Sequence, residues 1–173
     1  MVEHERLYLG DHDEELDVFT TGLGQVAAAT IGDRQKNAPN EDSAAIIPID
    51  EDYLVLIVAD GVGGMSGARR ASNLAVEAIR ERVKQSETTG DRLRTAILDG
   101  IEAANRKVLE LGTGSATTLA LAELGPGYVR TYHVGDSIVL VCGQRGRIKL
   151  MTTPPMPPSF TSRFEPPPMT IQG

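Results

Sequence analysis

Two short clusters in this 173-residue sequence have residue types and spacing suited to chemistry. The first is Asn40-Glu41-Asp42 and the second is Asp60-Gly61-Val62-Gly63-Gly64. The second follows the apolar run Tyr53 to Ala59 directly, so Asp60 stands at the end of a segment that reads as a buried strand. A carboxylate there is fixed in place, and the glycines behind it let backbone groups approach a ligand closely. Carboxylates with a backbone carbonyl suit a hard divalent cation, Mg²⁺ or Mn²⁺, rather than zinc. Each cluster also has a plainer reading. Asp-Gly alone is a common turn, and Glu-Asp alone is a common solvated loop.

The elements that must position these residues follow from periodicity. Leu23 to Ile31 is small and apolar and predicts a first strand. Residues 32 to 43 read as a loop. Ala44 to Ile49 and Tyr53 to Ala59 predict a hairpin, and Asp60 to Gly67 a Gly-rich turn. Ala68 to Gln85 and Asp91 to Leu111 carry apolar residues at spacings of three and four and predict two helices. In the second, Asp91 caps the start and Gly112 the end. The period then changes to two. Ala116 to Glu123, Tyr128 to Val134, Ser137 to Cys142 and Arg147 to Met151 predict four strands separated by glycine turns. Helices segregated from consecutive strands indicate an α+β fold with antiparallel pairing.

The ends differ in composition. Residues 1 to 17 contain seven acids and one arginine, so residues 1–22 read as a solvated acidic tail. Seven of the ten prolines fall between Pro154 and Pro168. Such text cannot sustain a ladder or a helix, and disorder or polyproline II is expected over 153–173. The domain between these ends is 23–152. The net charge of −7 has the wrong sign for a nucleic-acid or anionic-membrane surface. The single Cys142 excludes an internal disulfide. With no secretory pattern at the N-terminus, it points to the cytoplasm. With no Trp and three Phe, the core must be aliphatic and Ala-rich.

Taken in order, the motifs resemble one family. Asn40-Glu41-Asp42-Ser43, a hairpin, Ala59-Asp60-Gly61-Val62-Gly63-Gly64, and Ala71-Ser72 on a helix are similar to the metal-dependent PPM-type Ser/Thr protein phosphatases, the protein phosphatase 2C family. Gly114-Ser115-Ala116-Thr117-Thr118 and Val134-Gly135-Asp136-Ser137 agree with this. The resemblance covers about Leu23 to Thr152. It implies an antiparallel β-sandwich flanked by helices, here C-terminally incomplete, with two Mn²⁺ or Mg²⁺ ions at one end. It implies hydrolysis of phosphoserine and phosphothreonine in protein substrates by a metal-bridging water, through which Asp60 would be catalytic. Asp60 matches the bridging carboxylate, Gly61 a carbonyl ligand, and Glu41 and Asp42 residues that hold metal-bound waters. Asp136 matches a residue that in some members helps bind a third metal, and equally suits the cap of a tight turn.

The sequence departs from the pattern in places. Asn37 stands where the family commonly has a phosphate-holding Arg. Arg34 and Lys36 are the nearby candidates for phosphate binding, or are solvated loop cations. Val62 stands where some members have His, and Arg69 where Glu is usual. After Asp136 the sequence has no Asp, and only Glu165 among carboxylates, so the late metal ligands of the family have no counterpart. Weak metal binding and little hydrolysis by this chain alone are expected, with open sheet edges available for self-association. The other expectation is a non-catalytic pseudophosphatase or interaction module.

Overall fold

The structure is a computed structural model that describes residues 5–10, 14–32, 40–62, 65–86 and 90–153. Among these residues, ten strands and two α-helices occur in the order β1 (Arg6–Tyr8), β2 (Glu14–Thr21), β3 (Gly24–Ile31), β4 (Asp42–Pro48), β5 (Leu54–Val62), α1 (Met65–Gln85), α2 (Gly90–Glu110), β6 (Ala116–Thr117), β7 (Leu119–Gly125), β8 (Tyr128–Val134), β9 (Leu140–Cys142) and β10 (Ile148–Met151). The main sheet runs β1-β4-β5-β7-β8, with β6 pairing to the far end of β5. Every pairing is antiparallel. β2–β3 and β9–β10 are separate two-stranded sheets.

The alternation of β4 and β5 sets the layers. Ala45, Ile47, Val55, Ile57 and Ala59 are buried against Val76, Ile79 and Val83 of α1 and Leu93 and Ile97 of α2. Fully burying an Ile such as Ile79 or Ile97 contributes about 1.5–3 kcal/mol. The opposite pleat presents Ile46 and Leu54, which with Tyr8 pack against Phe19, Val26 and Ala28 of the β2–β3 hairpin. The order across the molecule is helices, main sheet, hairpin. The aliphatic, Ala-rich core expected from composition is present.

Several boundaries differ from the sequence reading. Residues 1–22, read as an acidic tail, contain β1 and β2. Glu5 is ion-paired to Arg80 and Lys84 of α1, and Tyr8 donates to Asp17 at 2.9 Å. Partnered in this way, acids of the N-terminal segment are structural. Asp60 and Gly61, read as the start of a turn, continue β5, because pairing with Asp42 and then with Thr117 extends the ladder to Val62. Helix α1 begins at Met65, three residues early. The predicted strand from Ala116 breaks at Thr118 into β6 and β7, and the one from Ser137 begins at Leu140. The proline-rich text beyond Thr153 lies outside the described residues.

Candidate metal centre

Asp42 opens β4 and Asp60 lies near the end of β5, and the register sets them directly opposite. Successive side chains alternate faces, so both carboxylates belong to the pleat that carries Ile46 and Leu54. Two like charges at facing positions repel. The Asp42 carboxyl is held above the usual aspartate range by partial desolvation, then by the Asp60 charge and a hydrogen bond shared with it, then by Glu41.

The backbone of this pair is tied on every side. The Asp60 amide donates to Thr118 Oγ1 at 3.2 Å. Its carbonyl accepts from the Thr118 amide at 2.8 Å and from Thr117 Oγ1 at 2.9 Å. Thr118 Oγ1 lies 2.5 Å from Ser137 Oγ. Gly61 donates its amide to the Glu41 carbonyl at 3.2 Å, and Ser72 Oγ donates to the same carbonyl at 2.6 Å. Asn40 accepts from the Asp42 amide at 3.1 Å and donates to Thr30 Oγ1 at 2.6 Å.

Two glycines are required by close approach. A Cβ on Gly61 would sit 2.3 Å from the Ala68 carbonyl and 2.7 Å from that of Glu41, both backbone atoms. This lets α1 and the Glu41 segment close on the end of β5. Gly135 has φ +83°, where L side chains are strained, and its Cβ would meet Thr118 Cγ2 at 2.9 Å. It brings the Asp136-Ser137 turn onto the Thr118 segment.

Asn40-Glu41-Asp42, Asp60-Gly61, Thr117-Thr118 and Ser137 therefore converge, although up to 97 positions separate them in sequence. Glu41 is half-buried; Asp136 is exposed and neighbours Ser137. Arg34, Lys36, Asn37, Gly63 and Gly64 lie outside the described residues. Arg69 packs its side chain over Gly10, beside the Asn40 carbonyl. Thr30 and Asn73 escaped the sequence reading. Asn73 Oδ1 accepts from Ser43 Oγ at 2.6 Å and from the Gly10 amide at 3.2 Å. Single polar residues on a strand or helix carry no spacing signal that marks such a role.

Two facing carboxylates, with the proton affinity of Asp42 raised, fit a hard dication, which would relieve their repulsion. Among the described residues, no group of three or more His, Cys, Asp or Glu is placed to hold a metal ion.

The protein phosphatase 2C family model matches residues 32–159, a span that contains every element of this centre except Thr30. The chain belongs to the protein phosphatase 2C family. It is 27% identical over 106 residues to the serine/threonine phosphatase Stp of Listeria monocytogenes, covering 57% of this chain and 42% of that protein. It is 28% identical over 109 residues to a putative protein phosphatase 2C-type protein of Streptococcus pyogenes, covering 60% and 44%. Among solved structures, the Streptococcus agalactiae serine/threonine phosphatase superposes with a TM-score of 0.59 at 24% identity, covering 87% of this chain and 55% of that one. The serine-threonine phosphatase 2C of Toxoplasma gondii superposes at 0.50 and 18% identity, covering 88% and 54%. These likenesses agree with the mixed α+β fold. The chain spans less than half of the curated relatives it matches. No helix among the described residues is long and apolar enough to cross a membrane.

Proposed function

We propose that this protein phosphatase 2C chain contributes the Asp42–Asp60 portion of a Ser/Thr phosphoprotein phosphatase centre that takes Mn²⁺ or Mg²⁺, in the cytoplasm. The facing of Asp42 and Asp60, with the Asp60 backbone held by Thr117 and Thr118, carries the reading. Asp60 and the Gly61 backbone would hold the cation, with Glu41 and Asp42 accepting hydrogens from its waters. Bound there, such ions offset phosphate charge and make water more acidic. The protein's own part is to keep these oxygens fixed, so that little reorganisation is needed when substrate arrives. Arg34 and Lys36 are assigned to the phosphate, and Asp136 to a further, weaker cation.

One carboxylate and one backbone carbonyl leave most of a six-coordinate shell to water or to other donors, so hydrolysis by this chain alone is expected to be low. The test is hydrolysis of an aryl phosphate with Mn²⁺ titrated against chelator, beside Asp60→Asn. Turnover that needs Mn²⁺ and is lost in the variant supports the reading. Turnover equal in both proteins removes Asp60 from the chemistry.

A second reading is a non-catalytic module, favoured by the absence of a third metal-binding side chain among the described residues. It expects phosphopeptide binding that neither chelator nor Asp60→Ala changes. Self-association is the partner expectation, supported by β8 at the edge of the described sheet and by exposed Val58, Val129 and Val134.

A further inference from the structure

The first turns of α1 bury a pair of hydroxyls beside the Asp42–Asp60 centre, Ser72 on the helix and Ser43 at the start of β4. They are 0% and 2% exposed, and their oxygens lie 2.9 Å apart. Each hydroxyl has one hydrogen to give, so two in contact have to divide their donors. Ser72 Oγ has three acceptors within reach: the Glu41 carbonyl at 2.6 Å, Ser43 Oγ at 2.9 Å and the Arg69 carbonyl of its own helix at 3.0 Å.

The direction of these bonds is fixed from outside the pair. The Gly10 amide faces the side chain of Asn73 at 3.2 Å, and an N–H group cannot accept. The Asn73 atom turned to it is therefore the oxygen, and that same oxygen lies 2.6 Å from Ser43 Oγ. Ser43 thus spends its hydrogen on Asn73 and can only accept from Ser72. Ser72 makes its shortest contact with the Glu41 carbonyl, which also accepts from the Gly61 amide at 3.2 Å. That amide belongs to the Asp60–Gly61 peptide, whose carbonyl end is held by Thr117 and Thr118. Ser72 therefore completes the clamp on the peptide that joins the two groups assigned to the cation.

We infer that Ser72 is a positioning residue for the cation centre, acting through the Glu41 carbonyl on the Gly61 amide. The inference rests on the reading of Asp60 and Gly61 as the cation-holding groups. The paired serines make it specific. Ser72→Ala takes one of two donors from the Glu41 carbonyl, and the Asp60–Gly61 peptide loses part of its restraint. Alanine is the better helix former, so the variant keeps α1. Ser43→Ala removes a comparably buried hydroxyl, yet what it takes from Ser72 is a competing acceptor, and the Glu41 carbonyl keeps both donors. A role confined to packing would make the two variants alike.

The test uses the full chain. Amide hydrogen exchange is followed at Gly61 with chelator present, against the amide of buried Ile97 in α2 as the measure of global opening. In Ser72→Ala, Gly61 should exchange about three- to tenfold faster, the size of one hydrogen bond, with Ile97 changed less. In Ser43→Ala it should exchange no faster relative to Ile97. Mn²⁺ uptake, read from the free-ion electron paramagnetic resonance signal beside Asp60→Asn, should weaken by a similar factor in Ser72→Ala and not in Ser43→Ala. Gly61 exchange that is unchanged in Ser72→Ala, or raised alike in both serine variants, overturns the inference. So does Mn²⁺ uptake that Asp60→Asn abolishes and Ser72→Ala leaves intact. Uptake equal in Asp60→Asn and the unaltered chain contradicts the cation reading itself, and the positioning role falls with it even where Gly61 exchange responds.

Discussion

Asp42 carries a cost that has a sign and a pH window. Its folded carboxyl is held above its ordinary value, so the folded chain binds that proton more tightly than the unfolded chain does. Its contribution therefore opposes folding above the usual aspartate range and disappears below it. Asp42→Asn is expected to raise stability by about 0.2–1 kcal/mol at neutral pH without metal, the size of a cross-strand charge effect. The gain should vanish in urea unfolding near pH 3.5, below the unperturbed value of about 3.9. The opposite trend would remove the like-charge account of the pair. Gly61→Ala is a second test at this scale. A Cβ 2.3 Å from one backbone carbonyl and 2.7 Å from another cannot be relieved by a side-chain rotation. A loss of about 1–3 kcal/mol in denaturant unfolding is expected, as for overpacked positions. Asp60 stood out in the sequence because a carboxylate after an apolar strand, with glycine behind it, is a local pattern, whereas Glu41 and Asp42 stood out only through the resemblance of the motifs taken in order. The threonines that bind the Asp60 backbone were legible only as a motif, since nothing local says that residue 118 meets residue 60.

Among the elements, the β7–β8 hairpin holds the fully buried Glu123. It accepts from Tyr128 Oη at 2.6 Å, Tyr132 Oη at 2.7 Å and Arg130 at 2.8 and 2.9 Å. Burial and the hydrogen bond to Glu123 push both tyrosines up to about 12. The folded chain keeps these protons above the ordinary tyrosine value of 10.0, so the contribution is intact below about pH 10. It is lost as pH rises through about 12. Absorbance titration should show these two tyrosines ionising together with alkaline unfolding. Glu123→Gln leaves Arg130 without its counter-charge. The expected loss is about 3 kcal/mol, the low end for a broken buried pair, because Arg130 keeps a third of its side chain in solvent. A loss below about 1 kcal/mol in urea unfolding would mean that the cluster does not hold the hairpin.

Helices α1 and α2 were legible because their apolar stripes are long and regular. β1 and β2 were not. In β2, Leu16 and Val18 are 72% and 58% exposed while Asp17 reaches Tyr8, so its outward face is apolar and an acid is used in packing. Alternation read from such a strand suggests a solvated segment.

For the molecule as a whole, one face of the main sheet is covered by helices and the other only partly by the β2–β3 hairpin. Val58, Val129 and Val134 remain 42–51% exposed at and near the β8 edge. An edge that is unpaired among the described residues, beside apolar surface, favours association. Sedimentation velocity should detect concentration-dependent oligomers that Val129→Lys with Val134→Lys reduces. A monomer at every concentration would contradict self-association through this edge. The two helices and the antiparallel pairing of the central strands followed from the sequence, whereas the hairpin layer, half of which is β2, and the pairing of β6 with β5 did not.

The central claim is that Asp60, with Asp42 facing it, holds the cation of a phosphatase centre. Its most direct test is loss of the free Mn²⁺ electron paramagnetic resonance signal on titration with the chain, beside Asp60→Asn. Weak, saturable uptake by the chain that the variant lacks is the predicted result. Equal uptake by both proteins would contradict the assignment.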